Sequence, residues 1–166
     1  MIIAKKSLFI SAFRLCKNTW WLRPINLNTS AVFAMISCLI MTAFKKIVVI
    51  GAGTMGSGIA AHLANSKRDV VLLDLKGKGS PNEISERAID IIKKSDPPLL
   101  VEKSRLEHIK PGNLTDDFDQ IKDADWIIEA VVERIDIKHQ LYAQIDKVRN
   151  SSSIVSSNTS TIPLSV

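Results

Sequence analysis

Acidic residues are missing from the first 44 positions of this 166-residue chain, and cysteine is missing from everything after Cys38. The first absence gathers the net charge in one place. The formal charge is +5, and Lys5, Lys6, Arg14, Lys17 and Arg23 account for all of it. Beyond residue 44 the lysines and arginines equal the 17 acids in number. No basic footprint is left there for a nucleic acid, and none is expected as a partner. The second absence removes any disulfide framework and any cysteine-based zinc site from residue 45 on. A reducing compartment fits: the cytoplasm, or the mitochondrial matrix if the leader is a transit peptide. A long apolar run is also lacking. Ala31 to Phe44 spans 14 residues and includes Ser37 and Thr42, short of the ~20 that a spanning helix needs, so no stable membrane span is expected.

Residues 1–44 therefore stand apart as a leader. Their basic, acid-free, serine-containing composition suits a mitochondrial transit peptide better than a secretory signal. Two other readings stay open: a membrane-associated segment, and an extension foreign to the fold, with Met41 a natural start before the first strand.

From residue 45 on, the sequence is organised around Ile47-Val48-Val49-Ile50-Gly51-Ala52-Gly53-Thr54-Met55-Gly56-Ser57-Gly58. An apolar run enters G-x-G-x-x-G, and Met55, Ile59 and Leu63 then recur at helical spacing. Strand, tight turn and helix come in the order a dinucleotide site needs. Gly51 permits the turn, Gly53 admits a pyrophosphate close to the backbone, and Gly56 lets helix and sheet approach. The N–H groups at the helix start, around Thr54 and Met55, then face the phosphates. A second strand, Val70–Leu73, ends in Asp74, about 20 residues past Gly53. A carboxylate there accepts from ribose hydroxyls and repels a 2′-phosphate, which favours NAD over NADP. Lys76 and Lys78 blur that preference.

Further elements follow in alternation. The first helix is expected at about Thr54–Asn65. A second helix, capped by Ser80 with Pro81 at its first position, ends near Lys94 before Pro97-Pro98. Leu99–Leu106 reads as a short helix, and His108–Lys110 as a short strand leaving through a turn at Pro111-Gly112-Asn113. Asp117–Ile121 reads as a helical turn, Ala124–Val131 as a fourth strand, Ile135–Val148 as a helix and Ser153–Ser157 as a fifth strand. Such alternation argues an α/β, Rossmann-like, doubly wound parallel sheet, incomplete at its C-terminal edge. The expected domain runs from 45 to 166, with its ligand at the carboxyl ends of the strands. No metal site is expected.

Three stretches resemble, in order and in spacing, signatures of the 3-hydroxyacyl-CoA dehydrogenase family. They are Gly51–Ala60; Glu129-Ala130-Val131-Val132-Glu133 with Lys138 five residues on; and Ser157-Asn158-Thr159-Ser160. The resemblance covers residues 46–166. It implies NAD as cofactor and oxidation of the 3-hydroxyl of an acyl-CoA substrate in fatty-acid β-oxidation. It also implies that Glu133 and Lys138 contact the nicotinamide-side ribose, and that Ser160 lies between nicotinamide and substrate hydroxyl as a catalytic residue. The family's base is a histidine beyond that serine, followed by a C-terminal helical domain. The sequence reaches only Val166, and His62, His108 and His139 are not placed to replace the base. The expectation is a fragment inactive alone, completed in trans if the helical domain exists elsewhere. A non-catalytic NAD-binding module, the remnant of a split gene and an unrelated NAD sensor stay open.

Overall fold

The computed structural model describes residues 44–160, which belong to one compact unit. The readings of the leader up to residue 43 lie outside the described residues.

Strand β1, Lys46–Ile50, is buried from Ile47 onward. Its alternation explains why every residue from Ile47 to Ile50 is apolar. Ile47 and Val49 pack to one side of the sheet, Val48 and Ile50 to the other, as in a parallel strand covered on both faces. Helix α1, Thr54–Asn65, returns along the first face and β2 is Asp69–Asp74. Helix α2 is Glu83–Lys94 and β3 is Ile109–Asn113. Strand β4 is Trp126–Glu129, α3 is Ile135–Val148 and β5 is Ile154–Ser157. The five strands are parallel in the order β3-β2-β1-β4-β5. Ala60, Ala61, Leu63 and Ala64 of α1, with Ala88 and Ile92 of α2, cover one face. Leu141 and Ile145 of α3, with Ile121 and Ala124, cover the other. This is the Rossmann-like doubly wound sheet, with its order reversing between β1 and β4. A side-chain latch closes that junction at the amino end: the Asp125 carboxylate accepts from the N–H groups of Lys45 and Lys46 at 2.8 and 3.0 Å.

Several boundaries differ from the sequence reading, each for a local reason. Helix α2 starts at Glu83 behind Asn82, not at Pro81 behind Ser80. The Ser80 carbonyl accepts from Glu83 N–H in a preceding turn, and Glu83 folds back onto Gly79 N–H at 3.2 Å. The helix expected over Leu99–Leu106 is a 3-10 helix over Lys103–His108. The Asn65 side chain donates to Leu99 C=O and accepts from Val101 N–H, both at 2.9 Å, which pins that stretch to the end of α1 as a loop. Pro111-Gly112-Asn113 is strand rather than exit turn. Pro111 pairs in register with Leu72 on an outer strand, where half the N–H groups face away from the sheet.

Candidate functional site

The turn after β1 is shaped by two glycines. Gly51 sits at φ +106, and a Cβ there would meet the Ala130 carbonyl oxygen at 2.5 Å. At Gly56 a Cβ would lie 1.8 Å from the Gly51 carbonyl oxygen. Any larger residue at either place pushes α1 off the turn. Gly53 differs: a Cβ there would meet nothing within 4 Å. It is the N-cap of α1, so no side chain covers the helix start, and the first turn holds no acid. The N–H groups of Thr54, Met55 and Gly56 have no acceptor within the helix, and Thr54 and Met55 are exposed. An uncapped, acid-free helix start beside open space fits a pyrophosphate.

Asp74 closes the far side of the turn. Its carboxylate accepts from Ala52 N–H and from Leu75 N–H, the latter at 2.6 Å, which aims it without using all of its roughly four acceptor positions. Lys76, two residues past Asp74, has an acid of its own. Its ammonium lies 3.0 and 2.9 Å from the two Asp116 oxygens.

The signature after β4 separates into two pairs. Ser160 approaches Glu133, its N–H at 3.1 Å and its Oγ at 3.3 Å from Oε1. Lys138 is paired with the other acid of the signature: it is buried, with Nζ 2.6 Å from Oε1 of Glu129. Glu129, the first residue of that signature, was given no role from the sequence. It is fully buried, and Val131 N–H donates to Oε1 while Tyr142 Oη and Ser157 Oγ donate to Oε2, all at 2.7–2.8 Å. Burial alone would raise its pKa. The donors from Lys138, Ser157, Tyr142 and Val131 outweigh it and hold the carboxyl below its usual value. Burial, with the adjoining Glu129 charge, pushes the Tyr142 phenol up to about 12. A signal was present in the sequence. Lys138 and Tyr142 stand at i and i+4, one face of a helix, directly after a strand that ends in an acid.

Gly51, Gly53, Thr54, Met55, Gly56 and Asp74 thus lie around one turn, and Glu133 and Ser160 meet beyond the ends of β4 and β5. Among the described residues no cluster of three or more His, Cys, Asp or Glu could hold a metal, and no helix is long and apolar enough to cross a membrane.

Residues 46–166 match the family model for the 3-hydroxyacyl-CoA dehydrogenase, NAD binding domain. The chain belongs to this family. The cofactor indicated is NAD. The chain is 48% identical over 122 residues to a "Putative fatty acid oxidation complex trifunctional enzyme" of Rickettsia felis, covering 72% of this chain and 17% of that protein. It is 42% identical over 122 residues to a "Probable 3-hydroxyacyl-CoA dehydrogenase" of Deinococcus radiodurans, covering 72% and 35%. Among solved structures it resembles the 3-hydroxybutyryl-CoA dehydrogenase of Escherichia coli, with a TM-score of 0.61 and 32% identity over 74% of this chain and 26% of that one. The chain spans less than half the length of these curated relatives.

Proposed function

We propose that residues 45–166 form the NAD-binding part of a 3-hydroxyacyl-CoA dehydrogenase, which oxidises 3-hydroxyacyl-CoA to 3-oxoacyl-CoA in fatty-acid β-oxidation. The observation that carries this reading is the contact between Ser160 and Glu133, at the strand ends that also bear the Gly51–Gly56 turn. In this reading the turn, with Thr54 and Met55, would hold the pyrophosphate and Asp74 the adenosine ribose. Glu133 would hold the second ribose, joined by Lys138, whose ammonium has two further donors beside the one given to Glu129. Ser160 would orient the substrate hydroxyl. When bound, the nicotinamide supplies the hydride acceptor.

The hydroxyl proton needs a base, and none of the chain's three histidines is set for that task. His62 is exposed in the last turn of α1, His108 faces Asp69 at the start of β2 at 3.1 Å, and His139 is exposed on α3. The reading therefore assigns proton removal, and the walls of the acyl pocket, to a helical domain supplied in cis or in trans. A positioned base contributes about 10²–10⁴-fold, so the chain alone is expected to be inactive. The test is NADH formation from a 3-hydroxyacyl-CoA, read by absorbance, with the chain alone and with the helical domain of a relative added. Turnover only in the mixture supports the reading. Turnover by the chain alone, abolished by Ser160→Ala, would show that the base is misassigned.

A further inference from the structure

We infer that Asp116 sets the cofactor choice of this domain by withholding Lys76 from the 2′-phosphate of an NADP-type dinucleotide. The inference rests on the reading that a dinucleotide lies along the Gly51–Asp74 turn. A site that accepts a 2′-phosphate needs a cation near the acid that ends β2. Lys76, two residues past Asp74, is a side chain of that kind. Both Asp116 oxygens hold its ammonium, at 3.0 and 2.9 Å.

Asp116 does not reach Lys76 by chance of a mobile surface chain. Its own N–H donates to Oδ1 of Asn113 at 2.8 Å, and its Oδ2 accepts from Nδ2 of Asn113 at 3.1 Å. Asn113 is 1% exposed, and the same Nδ2 donates to Oδ1 of Asn82, before α2, at 2.7 Å. A buried amide thus fastens the carboxylate to the end of β3 and to the entry of α2. The ion pair itself is about half exposed, and such pairs add little to stability. Its effect lies in where the charge sits. Lys76 is neutralised and turned toward the β3 side, and Asp74 is left as the charge that meets the ribose.

The test is calorimetry of NAD and of NADP on the full chain at low salt, with melting curves to confirm that each variant is folded. Asp116→Asn keeps the shape and the Asn113 contacts but releases Lys76. It is expected to tighten NADP binding by about tenfold relative to NAD, equivalent to about 1.4 kcal/mol, a gain that shrinks as salt screens the new contact. Lys76→Met alone leaves the ratio as in the unaltered chain, and Lys76→Met with Asp116→Asn abolishes the gain. An unchanged ratio in Asp116→Asn, with NAD still bound, overturns the inference and leaves the dinucleotide site standing. A gain that survives Lys76→Met also overturns it, since simple repulsion by Asp116, or Lys78, would then account for the effect. An unaltered chain that binds neither dinucleotide removes the site and the inference together.

Discussion

Asp74 and Glu129 end the two strands that flank β1, yet they serve opposite ends. Asp74 is partly exposed and takes backbone N–H groups from Ala52 in the turn after β1 and from Leu75 beside it. Glu129 is fully buried and gathers Lys138, Tyr142, Ser157 and Val131. The same strand position has produced a partly open carboxylate on one side of β1 and a fastener on the other. What separates them is the element that follows. After Asp74 the chain runs into the exposed stretch from Leu75 to Ser80. After Glu129 it turns into α3, which lays an ammonium and a phenol back over the carboxylate. Position at a strand end therefore does not by itself mark an acid as ligand-binding; the polar groups that close over it decide.

The sharpest way to break this contrast is Glu129→Leu. It leaves the Lys138 ammonium buried without its charge partner, and removing one member of such a pair costs about 3–5 kcal/mol. Urea denaturation should show a loss of that size, with much of it recovered by Glu129→Leu combined with Lys138→Met. An unaltered midpoint in the single variant would refute the fastener role. The pH dependence gives a second handle. Glu129's folded pKa lies below its usual 4.5, so its stabilisation is complete above that value. It is lost as pH falls below 4.5 and through the folded value. The double variant should lack this acid-sensitive component.

Next in size is Asp74→Ala, which on the proposed function would remove charge-assisted bonds to ribose hydroxyls worth about 1.5–3 kcal/mol each. NAD affinity measured by calorimetry should fall by about tenfold or more; an unchanged affinity would erase the difference between the two acids. Tyr142→Phe removes one donor from Glu129 and should cost about 1.5 kcal/mol in thermal or urea unfolding. Because the folded phenol is raised to about 12, its contribution is whole below pH 10 and is lost as pH rises through 12. The phenylalanine variant should not show that alkaline step. Smallest is Ser160→Ala. Its 3.3 Å contact with Glu133 is exposed, so stability should shift by no more than about 0.5 kcal/mol, while turnover of the completed enzyme is lost.

The legible parts of the sequence were those where one short-range rule acts alone. The apolar run Ile47–Ile50, the glycine turn and the helical stripe of Thr54–Asn65 needed no distant partner to be read, and Ile135–Val148 was bounded correctly by its periodicity. The misread parts were decided by groups far away in sequence. Asn65 holds Leu99 and Val101 out of a helix, and β2 recruits Pro111 and Gly112 into a strand. At the candidate site, Asp74 was legible from its spacing past Gly53, and Ser160 from the family resemblance alone. Glu129 escaped because its importance lies in side chains from α3 and β5 converging on it. The pairing of Lys76 lies beyond any local rule, because its partner Asp116 is 40 residues away.

The latch between Asp125 and the start of β1 reaches across 79 residues from Lys46, and it dates the assembly of the sheet. A ribosome adding about 5–20 residues per second makes β4 roughly 4–16 s after β1 has been made. Strand β2 arrives early and covers one side of β1. The other side, Ile47 through Ile50, waits as an open apolar edge that any like strand can pair with. Parallel pairing over such separations is also intrinsically slow. Until β4 is made, that edge of β1 is open to pairing with another chain.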